Sequence, residues 1–277
     1  MGWWDTTSEI ERILVMGRAA PEWSNRKRDL TVCTGGITQK LEWRRLFPIV
    51  IEDLDKLHGF SWVDVKVTRD GVGDPRPESR KVVRGYGQAV TEVGKVSDHS
   101  IRKWYVEKLV RDCSESMKEA HETVGIVKPQ IISYDVVEFE PKKNPLNDEA
   151  QTTLSTWVTF FDPRKAQDDY KKEYATKDFE VRFKFKCGPK CRLENGHDMK
   201  VLDLQAFMLY RNVSRRYSDM PTIFQKMKDK LNDTIMRNDV YFVLGTHRLY
   251  PFQSYMIGAL VSIKKGTVAT QPLEVAA

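Results

Sequence analysis

Three residues with metal-ligating side chains stand close together in the sequence: Cys187, Cys191 and His197. Thiolate sulfur and imidazole nitrogen are ligands that zinc prefers, and short spacings between them are typical of structural zinc sites. Zinc takes four ligands, and we expect Asp198, His247 or a cysteine from elsewhere in the chain to supply the fourth. Because the spacing of the two cysteines is longer than the most common one, an ordinary turn with free thiols is the alternative.

The residues on either side of this cluster have the pattern of two β-strands. Between residues 179 and 186, apolar and charged side chains alternate, which predicts a strand with one face on a core. Residues 199–202 form a second short strand, and Asp203 can cap a helix that follows it. The sequence therefore predicts a hairpin pinned by a metal ion. The charged face of its first strand consists of Arg182, Lys184 and Lys186.

Basic residues occur in groups with aromatic residues between them, and the chain has a net charge of +6. Lysine and arginine bind phosphates and aromatic rings stack on bases, so this pattern favours a nucleic-acid-binding surface. The alternative is a solvated surface with tryptophans in the core. The residues of the hypothesis are Arg26, Lys27, Arg28, Trp43, Arg44, Arg45, Arg76, Arg80, Lys81, Arg84, Arg182, Lys184 and Lys186.

A catalytic alternative rests on Asp64 and Lys66, which are separated by one residue on a predicted strand. Metal-dependent nucleases use such a pair, with the carboxylate on Mg²⁺ and the lysine near the attacking water. His247 is a further candidate, because it lies in a loop between two apolar strands. Carboxylates upstream that are available to the same ion are Glu52, Asp53 and Asp55.

The succession of elements predicts an α+β protein in two parts. Residues 1–95 contain short strands separated by turn residues, which resemble an SH3-like or OB-like barrel in pattern. Residues 96–277 mix helices and strands and contain the Cys/Cys/His hairpin. We expect one long helix over 98–121, an early strand that Pro48 ends, and no internal repeat.

Composition narrows the class of protein. Four cysteines in 277 residues are too few for a disulfide scaffold, and no apolar run approaches the ~20 residues that span a bilayer. Together with an N-terminus that lacks signal-peptide features, this predicts a cytoplasmic protein with no membrane partner. The leading hypothesis is a nucleic-acid-binding protein of low sequence specificity. The alternatives are a metal-dependent nuclease or phosphodiesterase and a scaffold for an acidic protein.

Overall fold

The fold is described by a computed structural model of the chain, which covers residues 8–24, 29–69, 73–83, 89–138 and 179–272. Within these ranges, no helix is long and apolar enough to cross a membrane. The strands are β1 (Glu9–Arg18), β2 (Glu22–Ser24), β3 (Asp29–Ile37), β4 (Trp43–Val50), β5 (Ser61–Thr68), β6 (Ser79–Val82), β7 (Val90–Lys95), β8 (Val124–Val127), β9 (Gln130–Glu138), β10 (Phe179–Lys186), β11 (His197–Lys200), β12 (Asn238–Thr246) and β13 (Tyr255–Lys264). The helices are a 3-10 helix (Ile51–Lys56), α1 (His99–Leu109), α2 (Ser114–Glu119), α3 (Leu204–Ser214) and α4 (Met220–Arg237).

Five strands of the N-terminal half close into a barrel, in the order β1–β3–β4–β6–β5 and back to β1. Neighbouring strands are antiparallel except β4 and β6, which run parallel. This is the strand order of the OB-fold, a five-stranded Greek-key barrel. The alternation in β5 explains its orientation, since Val63, Val65 and Val67 are all fully buried inside the barrel. The predicted α+β class and the barrel-like N-terminal half are confirmed.

The C-terminal half repeats this strand order, although its sequence shows no repeat. β8 and β9 are consecutive and together take the position of the first strand. β9 pairs with β10, and β8 pairs with β12. β10 pairs with β11 and β12 pairs with β13, all antiparallel. The barrel closes where Val201, directly after β11, forms a parallel bridge with Ile257 of β13. The parallel contact therefore lies between the third and fifth strands, as it does in the first barrel.

The second barrel consists of two three-stranded sheets, β9–β10–β11 and β8–β12–β13. One apolar core fills the space between them and shows that they form a single unit. Phe183 and Phe185 from β10 contact Phe242 from β12, with ring centroids 5.0 and 4.9 Å apart. Ile223 and Met227 from α4 pack against the same core. The helices α3 and α4 thus lie between the third and fourth strands and cover the barrel.

Pro48 does not end β4, which continues to Val50. The prediction was wrong because the pairing of β3 with β4 shifts between Val32 and Thr34, opposite this part of β4. At such an irregularity, a proline without an N–H group is tolerated within a strand.

The two barrels pack against each other through an apolar interface. Met16 and Ile37 from the first barrel join Tyr241 and Val261 from the second in one buried cluster. At Gly17 the backbones approach so closely that a Cβ atom would collide with the Cβ of Ala259. The absence of a side chain at Gly17 therefore allows the barrels to dock.

Gly17→Ala is expected to destabilise the protein by about 1–3 kcal/mol, because the extra methyl group overpacks the interface. Gly35 is the matched control, since it is the β3 partner of Gly17 and a Cβ there meets no described atom within 4 Å. Urea unfolding of both variants is the measurement. Equal stability of the two variants would contradict the close docking at Gly17.

Candidate functional site

Four potential metal ligands meet at one end of the second barrel: Cys113, Cys187, Cys191 and His197. Their ligand atoms all lie within 4.8 Å of one another. The Sγ atoms of Cys113 and Cys191 lie 3.8 and 3.4 Å from Nε2 of His197. A tetrahedral zinc ion with ordinary bond lengths separates its ligand atoms by roughly 3.5–3.8 Å. The cluster therefore has the composition and the size to bind a metal ion.

Cys113 is the ligand that had been expected from elsewhere in the chain, and it lies 84 residues before His197. The single helix predicted over 98–121 is wrong, because α1 ends at Leu109 and α2 begins at Ser114. In between, Val110 forms a parallel bridge with Ile126 of β8. This interruption turns the chain so that Cys113 precedes α2 and points into the cluster.

The other three ligands are held by the hairpin of β10 and β11. Phe185 and His197 are paired across the two strands, so Cys187 and His197 stand at the same end of the sheet. Gly196 has φ 70°, and a Cβ there would press on the carbonyl group of Phe185. Glycine at this position lets the loop turn tightly back to His197.

Burial shifts the pKa of two members of the cluster, Cys187 and His197. It raises the pKa of the Cys187 thiol to about 12 and lowers the pKa of the His197 imidazole. Neutral imidazole is the form that binds metals, whereas the thiol must lose its proton to do so. The backbone N–H of Ser114 donates to Sγ of Cys187 at 3.4 Å, a contact that stabilises a thiolate. The hydroxyl of Ser114 lies 3.4 Å from Nε2 and 3.5 Å from Nδ1 of His197, so it packs against the edge of the ring.

Two other residues considered as fourth ligands lie outside the cluster. Asp198 faces outward and pairs with Arg182 at 3.0 Å. His247 lies in the exposed loop between β12 and β13, where its Nδ1 accepts a hydrogen bond from the backbone of Leu249 at 3.2 Å. That bond within the loop is the described hydrogen bond of the His247 side chain, which was also a catalytic candidate.

The second catalytic candidate, Asp64, is engaged in an ion pair. Arg12 donates two hydrogen bonds to its carboxylate, at 2.8 and 3.0 Å, and this contact holds the pKa of Asp64 below its ordinary value. Lys66 lies two residues along β5 and is exposed. Asp53 pairs with Lys56 at 2.8 Å. Among the described residues, three or more potential metal ligands come together in the Cys/His cluster and not around Asp64.

Several arginines of the predicted nucleic-acid surface form ion pairs within the first barrel. Arg44 and Arg80 both pair with the carboxylate of Glu11, which lies on β1. The side chains of all three are largely buried. Arg44 also pairs with Glu42 at 2.8 Å, so the two guanidinium groups are balanced by two carboxylates and are already hydrogen-bonded.

Arg45 and Arg76 join the two barrels. Arg45 pairs with Glu78 and also donates to the carbonyl oxygen of Thr123, at 3.1 and 3.3 Å. Arg76 is buried beside Asp74 and donates to the carbonyl oxygen of Thr246. These guanidinium groups therefore satisfy backbone carbonyls of the second barrel.

The remaining predicted residues of the first barrel fall into three groups. Trp43 is half-buried and packs against the apolar interface between the barrels. Lys81 is half-buried on β6 and is paired in register with Phe47, which is 44% exposed. The third group of predicted nucleic-acid-binding residues lies outside the described ranges and consists of Arg26, Lys27, Arg28 and Arg84.

The outer face of β10 carries the three basic residues that the alternation predicts. Lys184 is exposed and Lys186 is half-buried, and neither forms an ion pair with any residue that the structure describes. Arg182 lies between Glu180 and Asp198, at 2.6 and 3.0 Å. Lys200 of β11 is paired in register with Arg182 and adds a fourth basic residue to the face. We call these four residues the β10–β11 basic face.

Two family models match successive stretches of the chain. The chain belongs to the family described as Domain of unknown function (DUF8757), whose model matches residues 103–273. A second model, Domain of unknown function (DUF8758), matches residues 9–108. The two models meet within α1, close to the predicted boundary between residues 95 and 96, which stays a prediction. No curated protein matches the chain.

Solved structures show only distant similarity. One, titled "Structural mimicry for functional antagonism", is 11% identical, with a TM-score of 0.28 over 72% of this chain and 76% of that chain. Another, "Crystal structure of Ifi202 HINa domain in complex with 20bp dsDNA", is 11% identical, with a TM-score of 0.27 over 70% of this chain and 76% of that chain. Similarity at this level carries no functional argument.

Proposed function

We propose that this protein binds single-stranded nucleic acid with little sequence preference, through the β10–β11 basic face. The observation that supports the proposal is the position of this face on the second and third strands of a barrel with OB strand order. In OB-folds, that face and the adjoining loops bind oligonucleotides. Phosphate contacts from lysine and arginine carry no sequence information, which is why we expect low specificity.

The spacing of the basic residues suits an extended strand of nucleic acid. Alternate residues of a β-strand stand roughly 6.5–7 Å apart, which is close to the separation of successive phosphates in an extended single strand. Lys184 and Lys186 are the members that have no described ion pair, so binding a phosphate costs them no existing partner. Arg182 exchanges a contact with Glu180 or Asp198 for one with phosphate.

We propose further that the ion in the cluster is zinc and that its role is structural. Three thiolates and one imidazole are a ligand set that zinc prefers, and four protein ligands leave no position open for a substrate. The ion would join the loop after β10 to the segment before α2. Two surface ion pairs support the same connection, Lys190 with Asp112 at 2.8 Å and Arg192 with Glu119.

The test is direct binding of the full chain to fluorescein-labelled oligothymidylate and oligouridylate, followed by anisotropy at low salt. We expect saturable binding of both, with similar affinity for other base compositions and weaker binding of a duplex. No binding at low salt would refute the proposed function. Cleavage of the labelled strand on addition of Mg²⁺ would instead support the nuclease alternative.

A further inference from the structure

The segment 247–254, which joins β12 to β13, exposes apolar side chains without being part of the core. Leu249 is 64% exposed and Tyr250 is 52% exposed. The segment is nevertheless folded into turns, since the backbone N–H of Tyr250 donates to the carbonyl of His247 at 3.1 Å. The Tyr250 ring lies 6.2 Å from the His247 ring. An ordered loop that presents aromatic rings to solvent has the form of a stacking platform.

The segment emerges at the end of the barrel where β10 ends with Lys186, one residue of the β10–β11 basic face. β13 runs parallel to β11 where Val201 meets Ile257, so the residues just before β13 lie at the end of the barrel where β11 begins. Lys186 lies at this same end, because β10 is antiparallel to β11. Arg248 adds an exposed positive charge to the segment. A strand of nucleic acid that follows the basic face would therefore reach the loop.

Contacts with the end of α2 fix the position of the segment. The ring of His121 packs edge-on against Phe252, with centroids 5.4 Å apart. The Tyr255 hydroxyl donates to the carbonyl oxygen of Glu122. The backbone N–H of Thr246 donates to the carbonyl of Thr123 at 3.0 Å. Both ends of the segment are thus attached to the chain that follows α2.

α2 is in turn attached to the metal cluster, because Cys113 directly precedes it. α2 has only six residues, and a helix of this length is marginal without tertiary contacts. The ion that joins Cys113 to Cys187, Cys191 and His197 would hold α2 against the hairpin. The cluster is therefore connected to the segment through α2 and His121.

We propose that the metal cluster, acting through α2, holds the segment 247–254 in the conformation in which Tyr250 stacks on a base and Arg248 contacts a phosphate. This inference rests on the proposed function. It identifies the loop on which a base of the bound nucleic acid stacks and the contacts that hold this loop in position. Affinity for single strands then depends on the metal, although the ion touches no nucleotide.

The experiment uses His121→Asn, which removes the ring from Phe252 without changing a metal ligand. Asparagine suits the position because His121 has φ 54°, a region that asparagine tolerates. We expect unchanged metal content, faster trypsin cleavage after Arg248, and weaker binding of labelled oligothymidylate. Tyr250→Ala should retain the metal and lose roughly ten-fold in affinity, the size expected for one base-stacking contact. His58→Asn, an exposed change in the first barrel, is the matched control.

The outcomes separate this inference from the proposed function. If wild-type protein binds no oligonucleotide, the proposed function fails, whereas trypsin cleavage still reports whether α2 orders the segment. If wild type binds but His121→Asn and Tyr250→Ala bind equally well, this inference is overturned and the proposed function stands. Unchanged cleavage after Arg248 in His121→Asn would also overturn it. Crosslinking of the segment to duplex or protein alone would point to a different occupant and would contradict it.

Discussion

Replacing Cys113 with serine is expected to abolish stoichiometric metal binding and to destabilise the protein by about 3–5 kcal/mol, among the largest effects of a single substitution. Serine is a poor zinc ligand, so the remaining thiols and the imidazole would be buried without the ion that satisfies them. The connection between the start of α2 and the hairpin would be lost as well. Metal content by mass spectrometry and unfolding in urea are the two measurements.

Cys33→Ser is the matched control, because Cys33 lies on β3 and is not part of the cluster. It should keep about one equivalent of zinc and near wild-type stability. A Cys113→Ser protein that retains its metal and its stability would show that the cluster does not need this ligand. Purified wild type with free thiols and full stability would refute the metal altogether.

Local patterns predicted the bounds of β10, but they placed the second strand at 199–202, whereas β11 spans His197–Lys200. The alternation from Phe179 to Lys186 identifies which side chains face the core, because a strand with one buried face has a period of two. The same argument applies to Val63, Val65 and Val67 on β5. These patterns depend only on neighbours in sequence, which is why they survive into the folded structure.

The closure of each barrel depends on contacts that no local pattern specifies. The parallel pairing of β4 with β6 and the bridge of Val201 with Ile257 join strands that are distant in sequence. The repetition of strand order is hidden for the same reason, since the barrels share connectivity and not residues. A search for sequence repeats cannot detect this kind of similarity.

Cys113 was not assigned to the cluster because its spacing from Leu109 and Met117 fits a continuous helix. Tertiary pairing overrides that periodicity, since Arg111 donates its backbone N–H to the carbonyl of Ile126 at 2.7 Å. The number of cysteines was the informative signal. Because the Cys/Cys/His set lacks a fourth ligand, Cys33 and Cys113 are the two remaining thiols that could supply it.

The charges were visible in the sequence, but their partners were not. Arg44 and Arg80 share Glu11, which is 33 and 69 residues away. Whether an arginine contacts a carboxylate or stays available for phosphate is decided by the folded structure. The proposed surface therefore moves from the first barrel to β10 and β11 of the second.

Changing Arg182, Lys184 and Lys186 together to glutamine is expected to spare the fold and to weaken binding of single strands. The fold should persist because the opposite face of β10, including Val181, Phe183 and Phe185, stays buried in the core. Each lost phosphate contact removes one released counterion, so the slope of log affinity against log salt should flatten by roughly 0.7 per residue. A triple change of Lys95, Lys264 and Lys265 removes the same charge from exposed positions off this strand and serves as the control.

The salt dependence of oligothymidylate binding, measured in parallel for wild type and the two triple variants, tests the central claim most directly. If β10 contacts the phosphates, wild type and the control will share one steep slope, and the Arg182, Lys184 and Lys186 variant will be shallower by roughly 2. If the β10 residues are only a solvated face, with Arg182 held by Glu180 and Asp198, the folded β10 variant will keep the wild-type affinity and slope, and that result would contradict the account.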